Sequence, residues 1–94
     1  MDLKLKDKIF LICGATSGFG RATAESLLNE GAKILAVART YEKLEELSSK
    51  YKSQVISFQG DITDELVINK LFELSMINEL SGALINAGGP PAMK

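Results

Sequence analysis

The sequence lacks histidine altogether and contains a single cysteine, Cys13, among its 94 residues. One cysteine cannot form an internal disulfide, and an unpaired cysteine is typical of a protein from a reducing compartment. Without histidine or further cysteines, the usual zinc sites with soft ligands cannot be assembled, so no metal centre is predicted. These absences exclude a disulfide scaffold and a zinc domain.

Long apolar runs and concentrated charge are missing as well. The longest apolar stretches are far shorter than the ~20 residues that span a membrane, and the charged first residues contain no signal-peptide core. Eleven lysines and arginines against twelve acidic residues leave a net charge of −1, without a basic run. The sequence therefore predicts one cytoplasmic globular domain over residues 1–94, with neither a nucleic-acid nor a membrane partner.

Short apolar runs alternate with amphipathic segments along the chain. The apolar runs predict buried strands at residues 9–13, 34–38, 55–58 and 83–85. The amphipathic segments predict helices at residues 22–30, 41–51 and about 64–79. This alternation predicts an α/β fold, a Rossmann-like half domain with a parallel sheet of about four strands in the order 3-2-1-4 and helices on both faces.

A glycine-rich turn joins the first predicted strand to the first helix. Gly14, Gly18 and Gly20 follow the spacing G-x-x-x-G-x-G. Glycines let a pyrophosphate approach the main chain closely, and a helix N-terminus offers N–H groups and a positive dipole. The hydroxyls of Thr16 and Ser17 can donate to phosphate or ribose oxygens. The structural alternative is that the glycines only turn the chain and let the helix pack closely on the sheet.

The segment from Cys13 to Arg21 resembles the Thr-Gly-x-x-x-Gly-Ile-Gly signature of the short-chain dehydrogenases/reductases. Cys13 replaces the usual threonine, and it is interpreted as a buried strand-end residue rather than a reactive thiol. Phe19 replaces the usual isoleucine or leucine. The resemblance implies an oxidoreductase that interconverts a carbonyl and a secondary alcohol by hydride transfer. It places the dinucleotide on Gly14, Thr16, Ser17, Gly18, Phe19 and Gly20.

Arg39 and Thr40, directly after the second strand, bear on the choice of cofactor. NAD enzymes commonly have an acidic residue here for the ribose diol, whereas this chain has Ala38 in that position. An arginine beside it can pair with a 2′-phosphate, and the resemblance also implies NADP use, so NADP(H) is predicted over NAD(H). Ser17 departs from this pattern, because many NADP users have a basic residue there. A solvated loop arginine is the alternative, and Thr40 is also a candidate N-cap of the second helix.

A short polar element, Asp61, Ile62 and Thr63, follows the third strand. A carboxylate beside a backbone amide can read the edge of adenine, and the resemblance implies that role for Asp61 and Ile62. The alternative is a helix-capping turn, with Thr63 as the N-cap. Both roles are compatible, with Asp61 on the ligand and Thr63 on the helix.

A second matching element, Asn86, Ala87 and Gly88, follows the fourth strand and resembles the latter part of an Asn-Asn-Ala-Gly motif of the same family. Ile85 replaces its first asparagine. Small residues here let the ribose approach the strand end, while Asn86 serves either the ligand or neighbouring backbone groups. The resemblance covers roughly residues 5 to 91 and rests on four separate elements in the expected order.

The residues that would carry hydride chemistry are not found. The resemblance implies a tyrosine acid/base with a lysine four residues later, assisted by a serine and a further asparagine, all beyond strand 4. Glu45 follows Tyr41 at that offset and Val55 follows Tyr51, so both tyrosines are expected to pack along the second helix instead. No catalytic residue is predicted, and the 94-residue chain is expected to be truncated before the catalytic residues and inactive alone.

The truncation has a structural consequence and leaves other functions open. Strand 4 is expected to be an open sheet edge beside an apolar third helix, a surface for homo-oligomer formation unless the chain is only marginally stable. The alternatives to an oxidoreductase portion are a non-catalytic nucleotide-binding module and a truncated product without activity. A methyltransferase would make the last two motifs coincidental, and sugar-nucleotide epimerases have a different glycine spacing. The substrate is not specified by these residues.

Overall fold

A four-stranded parallel sheet forms the centre of the computed structural model, which describes residues 5–16, 18–74 and 78–85. Its strands are β1 (Ile9–Cys13), β2 (Lys33–Ala38), β3 (Val55–Gln59) and β4 (Leu80–Ile85). The strand order is β3-β2-β1-β4, and each neighbouring pair runs parallel. The predicted fold class and strand order are therefore confirmed.

Among the described residues, three α-helices connect these strands, and a 3-10 turn (Lys52–Gln54) precedes β3. They are α1 (Gly18–Asn29), α2 (Tyr41–Tyr51) and α3 (Glu65–Phe72). The boundaries of α2 agree with the prediction. By contrast, α1 begins at Gly18 rather than at residue 22, because the low helix propensity of its glycines is overridden by packing of the buried Gly20 and Ala24.

The third helix is shorter than the sequence predicts. It ends at Phe72, where the amides of Glu73 and Leu74 donate to carbonyls three residues earlier and tighten the final turn. Strand β4 correspondingly begins at Leu80 instead of residue 83. Its start was missed because Ser81 interrupts the apolar run on which the prediction depended.

The N-caps differ from the predictions. Asp64, not Thr63, caps α3, since its carboxylate accepts a hydrogen bond from the Leu66 amide at 2.9 Å. Thr40 occupies the N-cap position of α2 with an extended backbone, but its side chain makes no capping hydrogen bond. Its main-chain carbonyl instead accepts from the Leu44 amide at 3.2 Å.

The core has two halves because side chains along a strand point alternately to opposite faces. On one face, α1 and α2 pack on the sheet through buried residues that include Ile12, Ala24, Leu28, Ile34, Leu44 and Leu47. On the other face, α3 contributes Leu71 to a cluster with Leu11, Cys13, Leu35 and Val37. Helices therefore cover both faces, and β2 is the most completely buried strand.

Cys13 and the two tyrosines have the following environments. Cys13 is 1% exposed, and burial raises the pKa of its thiol, which agrees with a packing role. Tyr51 packs against the core as expected. Tyr41 is 55% exposed, so the expectation that both tyrosines are packed is wrong for this residue.

Candidate dinucleotide-binding site

The carboxyl ends of all four strands meet at one edge of the sheet. Cys13 of β1 stands opposite Val37 of β2 and Ile85 of β4, and Ala38 stands opposite Gln59 of β3. Ligands of open parallel α/β sheets bind at this edge, beside the point where the strand order reverses. Here that point lies between β1 and β4, so the turn following β1 occupies the central position.

The glycine-rich turn is anchored to β2 at its beginning. The Val37 carbonyl accepts the Gly14 amide at 2.7 Å and the Ala15 amide at 3.4 Å, while the Ala15 side chain is fully buried. Gly14 has a φ of +79°, a conformation that favours glycine. Because both amides already have a protein acceptor, Gly14 and Ala15 shape the turn, and donors for a phosphate must come from later residues.

The remaining glycines have different surroundings. Gly20 is buried within α1, which agrees with the packing role considered for these glycines. Gly18 has a φ of +52°, and apart from its chain neighbours and the nearby backbone of α1 no atom of the described residues lies within 4 Å of the place where a Cβ would be. Packing within the described protein therefore does not require glycine at position 18, although the positive φ favours it.

The first turn of α1 places partial positive charge beside Gly18. The first N–H groups of an α-helix have no partner within the helix, and its dipole places partial positive charge there. The first turn of α1 contains no acidic residue that would neutralise this charge. Phe19 in this turn is 70% exposed, and Thr16 is half-buried just before it. The absence of acidic residues in this turn suits an anion. The other predicted hydroxyl residue, Ser17, lies outside the described residues.

The segment after β2 carries an exposed cation. Arg39 and Thr40 are both exposed, and no ion pair of Arg39 is found in the described part of the chain. Two hydrogen bonds tie this segment to the end of β3. The Gly60 amide donates to the Ala38 carbonyl at 2.8 Å, and the Gln59 side-chain amide donates to the Arg39 carbonyl at 3.0 Å. The main chain of Arg39 is therefore held although the residue is exposed.

The segment after β3 holds a carboxylate in a fixed orientation. Oδ1 of Asp61 accepts the Thr63 amide at 2.9 Å and the Thr63 hydroxyl at 2.7 Å. These two hydrogen bonds lower the pKa of Asp61, the amide first, and the positive charge of Arg39 adds to the effect. Thr63 thus serves the carboxylate rather than the helix, which corrects the predicted division of roles. Neither bond uses Oδ2, while Ile62 packs against the α3 side of the core.

A polar cluster behind the glycine-rich turn was not predicted. Glu25 accepts hydrogen bonds from Arg21 Nε at 2.7 Å, Tyr51 Oη at 2.9 Å and Lys50 Nζ at 3.0 Å. Arg21 first, then Lys50 and Tyr51, lower the pKa of Glu25 to about 2. A second Arg21 nitrogen, Nη1, lies 3.4 Å from Glu46 on α2. This cluster joins α1 to α2, and only the four-residue spacing of Arg21 and Glu25 is visible in the sequence.

The last predicted element cannot be compared with the structure. Asn86, Ala87 and Gly88 lie outside the described residues, just beyond the end of β4. Within the described ranges, no group of three or more potential ligand residues is placed to hold a metal ion. No helix in the same part of the chain has the length and apolar character needed to cross a membrane.

The strand order and the glycine-rich turn between β1 and α1 define a Rossmann-type nucleotide-binding fold. The family follows from comparison with known proteins: residues 8–93 match the family model described as short chain dehydrogenase. The chain belongs to the short-chain dehydrogenase family, whose members bind NAD(P) and act as oxidoreductases.

Individual relatives agree with this assignment. An uncharacterized oxidoreductase of Listeria monocytogenes is 35% identical over 95% of this chain, which spans 38% of that relative's length. A short chain dehydrogenase from Bacillus anthracis has a similar structure, with a TM-score of 0.78 and 30% identity over 90% of this chain and 36% of its own. L-Sorbose reductase from Gluconobacter frateurii, complexed with NADPH and L-sorbose, gives a TM-score of 0.78 and 30% identity over 100% of this chain and 38% of its own.

Proposed function

We propose that this chain is the NADP(H)-binding portion of an oxidoreductase whose full-length parent interconverts a carbonyl and a secondary alcohol by hydride transfer. The observation that carries the proposal is the space at Gly18 beside the N-terminus of α1, together with an exposed arginine directly after β2. The first feature fits the diphosphate that all dinucleotides share. The second fits the 2′-phosphate that distinguishes NADP(H).

The diphosphate would lie against the main chain from residue 16 to Gly20. The Gly14 and Ala15 amides already bond to Val37, so we assign phosphate binding to the first-turn amides of α1. The positive end of the helix dipole favours an anion at this place. Thr16 and Ser17 would add hydroxyl donors, and Phe19 would cover the cofactor with its exposed ring.

The adenosine end would lie across the ends of β2 and β3. A guanidinium binds a phosphate through two parallel charge-assisted hydrogen bonds, and Ala38 supplies no acidic group to hold a ribose diol. Oδ2 of Asp61 would accept from the adenine amino group while Thr63 holds Oδ1. Asn86, Ala87 and Gly88 complete the proposed site beside the ribose at the end of β4. The NADPH complex of the similar L-sorbose reductase supports this choice of cofactor.

Catalysis is assigned to the part of a parent protein beyond these residues. The chain spans 38% of the Listeria oxidoreductase, and its two tyrosines lack a lysine at the required spacing. We therefore propose that the 94-residue chain binds cofactor without turning it over. The buried, unpaired Cys13 supports a reducing compartment, the cytoplasm.

A surface formed by α3 and β4 would join two copies of the chain. Leu66 is 70% exposed and Phe72 is 63% exposed on α3, and Ile85 is 60% exposed at the end of β4. In the described sheet, β4 pairs only with β1, so its other side presents unpaired backbone groups. Exposed apolar side chains and an open strand edge each favour self-association. We propose a homo-oligomer through this surface.

Calorimetric titration of the chain and two variants with NADPH and NADH tests the cofactor proposal. Arg39→Ala is expected to weaken NADPH about 10- to 100-fold, the value of charge-assisted hydrogen bonds, with NADH little changed. Gly18→Val is expected to weaken both cofactors, because its branched side chain fills the proposed diphosphate space and is strained at positive φ. Lys43→Ala, which removes an exposed positive charge from α2, is the control and should change neither affinity. Equal losses for both cofactors in Arg39→Ala, or no NADPH binding by the unmodified chain, would contradict the proposal.

A further inference from the structure

The side chain of Gln59 bonds a main-chain carbonyl just beyond the end of the β2–β3 pairing. Within the ladder, Gln59 stands opposite Ala38, the last residue of β2. The Ala38 carbonyl is bonded by the Gly60 amide at 2.8 Å. The next carbonyl, that of Arg39, is bonded by Gln59 Nε2 at 3.0 Å. The Gln59 side-chain amide therefore holds a carbonyl that lies beyond the last backbone hydrogen bond between the two strands.

This bond acts on the one residue that we assign to the 2′-phosphate. Arg39 lies immediately beyond β2, where main-chain pairing with β3 has ended. Two-point recognition of a phosphate depends on the direction of the guanidinium, and an arginine side chain already loses considerable rotamer freedom when it binds. A main chain free to move would add to that loss. Because the Arg39 carbonyl is already fixed, the main chain loses less conformational entropy when the phosphate binds.

We infer that Gln59 is a positioning residue for Arg39 and contributes to the preference for NADP(H) over NAD(H). The inference rests on the proposed function, because it requires Arg39 to contact the 2′-phosphate. Gln59 acts through the main chain of Arg39 and contacts no part of the cofactor common to both dinucleotides. NAD(H) has no 2′-phosphate, so loss of the Gln59 bond is expected to affect NADP(H) alone.

The test compares two glutamine-to-methionine variants of the 94-residue chain. Gln59→Met removes the amide donor while nearly keeping the side-chain volume. Gln54→Met is the matched control: Gln54 Nε2 also donates to main-chain carbonyls, those of Leu28 at 2.9 Å and Ala32 at 2.8 Å, but at the opposite edge of the sheet. Dissociation constants for NADPH and NADH are measured for each, with circular dichroism to follow unfolding.

Gln59→Met is expected to weaken NADPH about three- to tenfold, the size of one neutral hydrogen bond, and to leave NADH within about twofold. Gln54→Met should lower stability and leave the NADPH-to-NADH affinity ratio unchanged. In an Arg39→Ala background, Gln59→Met should have no further effect on NADPH, because the two residues act as one unit. An additional loss in that background would overturn the inference.

The parallel Arg39→Ala measurement separates the two proposals. If Arg39→Ala changes the affinity ratio and Gln59→Met does not, the role of Gln59 is refuted and the cofactor assignment stands. If Gln59→Met weakens both cofactors equally, Gln59 has only a structural role and the inference is again refuted. If Arg39→Ala leaves the ratio unchanged, the cofactor assignment fails and the inference fails with it.

Discussion

Replacing Glu25 with glutamine would remove the negative charge at the centre of the contact between α1 and α2. The ionised carboxylate accepts from Arg21, Lys50 and Tyr51 at distances between 2.7 and 3.0 Å. These donors lower the pKa of Glu25 from 4.5 to about 2, with the Arg21 hydrogen bond as the largest cause. Proton linkage at about 1.4 kcal/mol per pH unit then sets an upper limit of about 3.5 kcal/mol on the stabilisation.

The net effect is expected to be smaller than this limit because the partners are partly hydrated. The Glu25 side chain is 23% exposed, but that of Lys50 is 57% exposed, and exposed ion pairs contribute about 0–1 kcal/mol. We therefore expect Glu25→Gln to reduce the free energy of unfolding by about 1–2 kcal/mol at pH 7. In a domain of this size, the midpoint of thermal unfolding should fall by about 4–16 °C.

The pH dependence follows from the lowered pKa. Above about pH 4.5 the carboxylate is ionised in both folded and unfolded chains, and its contribution is fully present. As the pH falls from 4.5 towards 2, the unfolded chain takes up the proton first, and the contribution is lost. The difference in stability between the unmodified chain and Glu25→Gln should therefore shrink across this range.

Urea unfolding at several pH values, followed by circular dichroism, measures this difference directly. Glu30→Gln is the control, because Glu30 is exposed just after α1 and the same charge is removed; its effect should stay below about 0.5 kcal/mol. An NMR titration of the Glu25 carboxyl carbon gives the pKa itself. A pKa near the ordinary 4.5, or a difference in stability that does not change with pH, would refute the reasoning.

Two further predictions concern the packing of α3 and its exposed face. Gly60→Ala should destabilise the fold by about 1–3 kcal/mol in urea unfolding, because the new Cβ would lie 2.7 Å from Val67 Cγ1. Adding Val67→Ala should recover part of this loss. Full stability of Gly60→Ala alone would contradict the prediction. Leu66→Lys, which places a charge on an exposed apolar position, should shift the oligomer towards monomer in sedimentation velocity without lowering the unfolding midpoint. The exposed Glu65→Lys is its control, and an unchanged distribution of species in Leu66→Lys would count against the proposed α3–β4 surface.

The central strands and α2 were predictable because their sequence patterns report burial directly. The two five-residue apolar runs, at positions 9–13 and 34–38, coincide with β1 and with all of β2 except its first residue. Both strands are largely covered on both faces. The leucines at positions 44 and 47 in α2 form one buried stripe. Where a pattern is ambiguous, the observed boundary differs from the predicted one. The glycines that begin α1 do not favour a helix in isolation, and Ser81 interrupts the apolar pattern at the start of β4.

The candidate site was predictable to the extent that its residues are local in sequence. The glycine spacing, Arg39 and Asp61 each follow a strand, so their meeting at one sheet edge follows from the topology. The bond between Gln59 and Arg39 joins residues 20 positions apart, and the bond between Glu25 and Tyr51 joins residues 26 positions apart. Such pairs depend on strand register and helix packing, which a single sequence does not specify. The sequence did not reveal that Asp64 rather than Thr63 caps α3, because both residue types cap helices.

In the proposed site, affinity for a dinucleotide and the choice between dinucleotides would depend on different residues. If the diphosphate binds where we propose, the space at Gly18 and the first turn of α1 would contact groups that NADPH and NADH share, so changes there should alter both affinities together. Arg39 and Gln59 lie at the ends of β2 and β3, away from the β1–β4 switch point, where only the adenosine end would reach. Changes at these two positions should alter the affinity ratio. A variant of Gly18 that changed the ratio as strongly as Arg39→Ala would show that the two functions are not divided between separate strand ends.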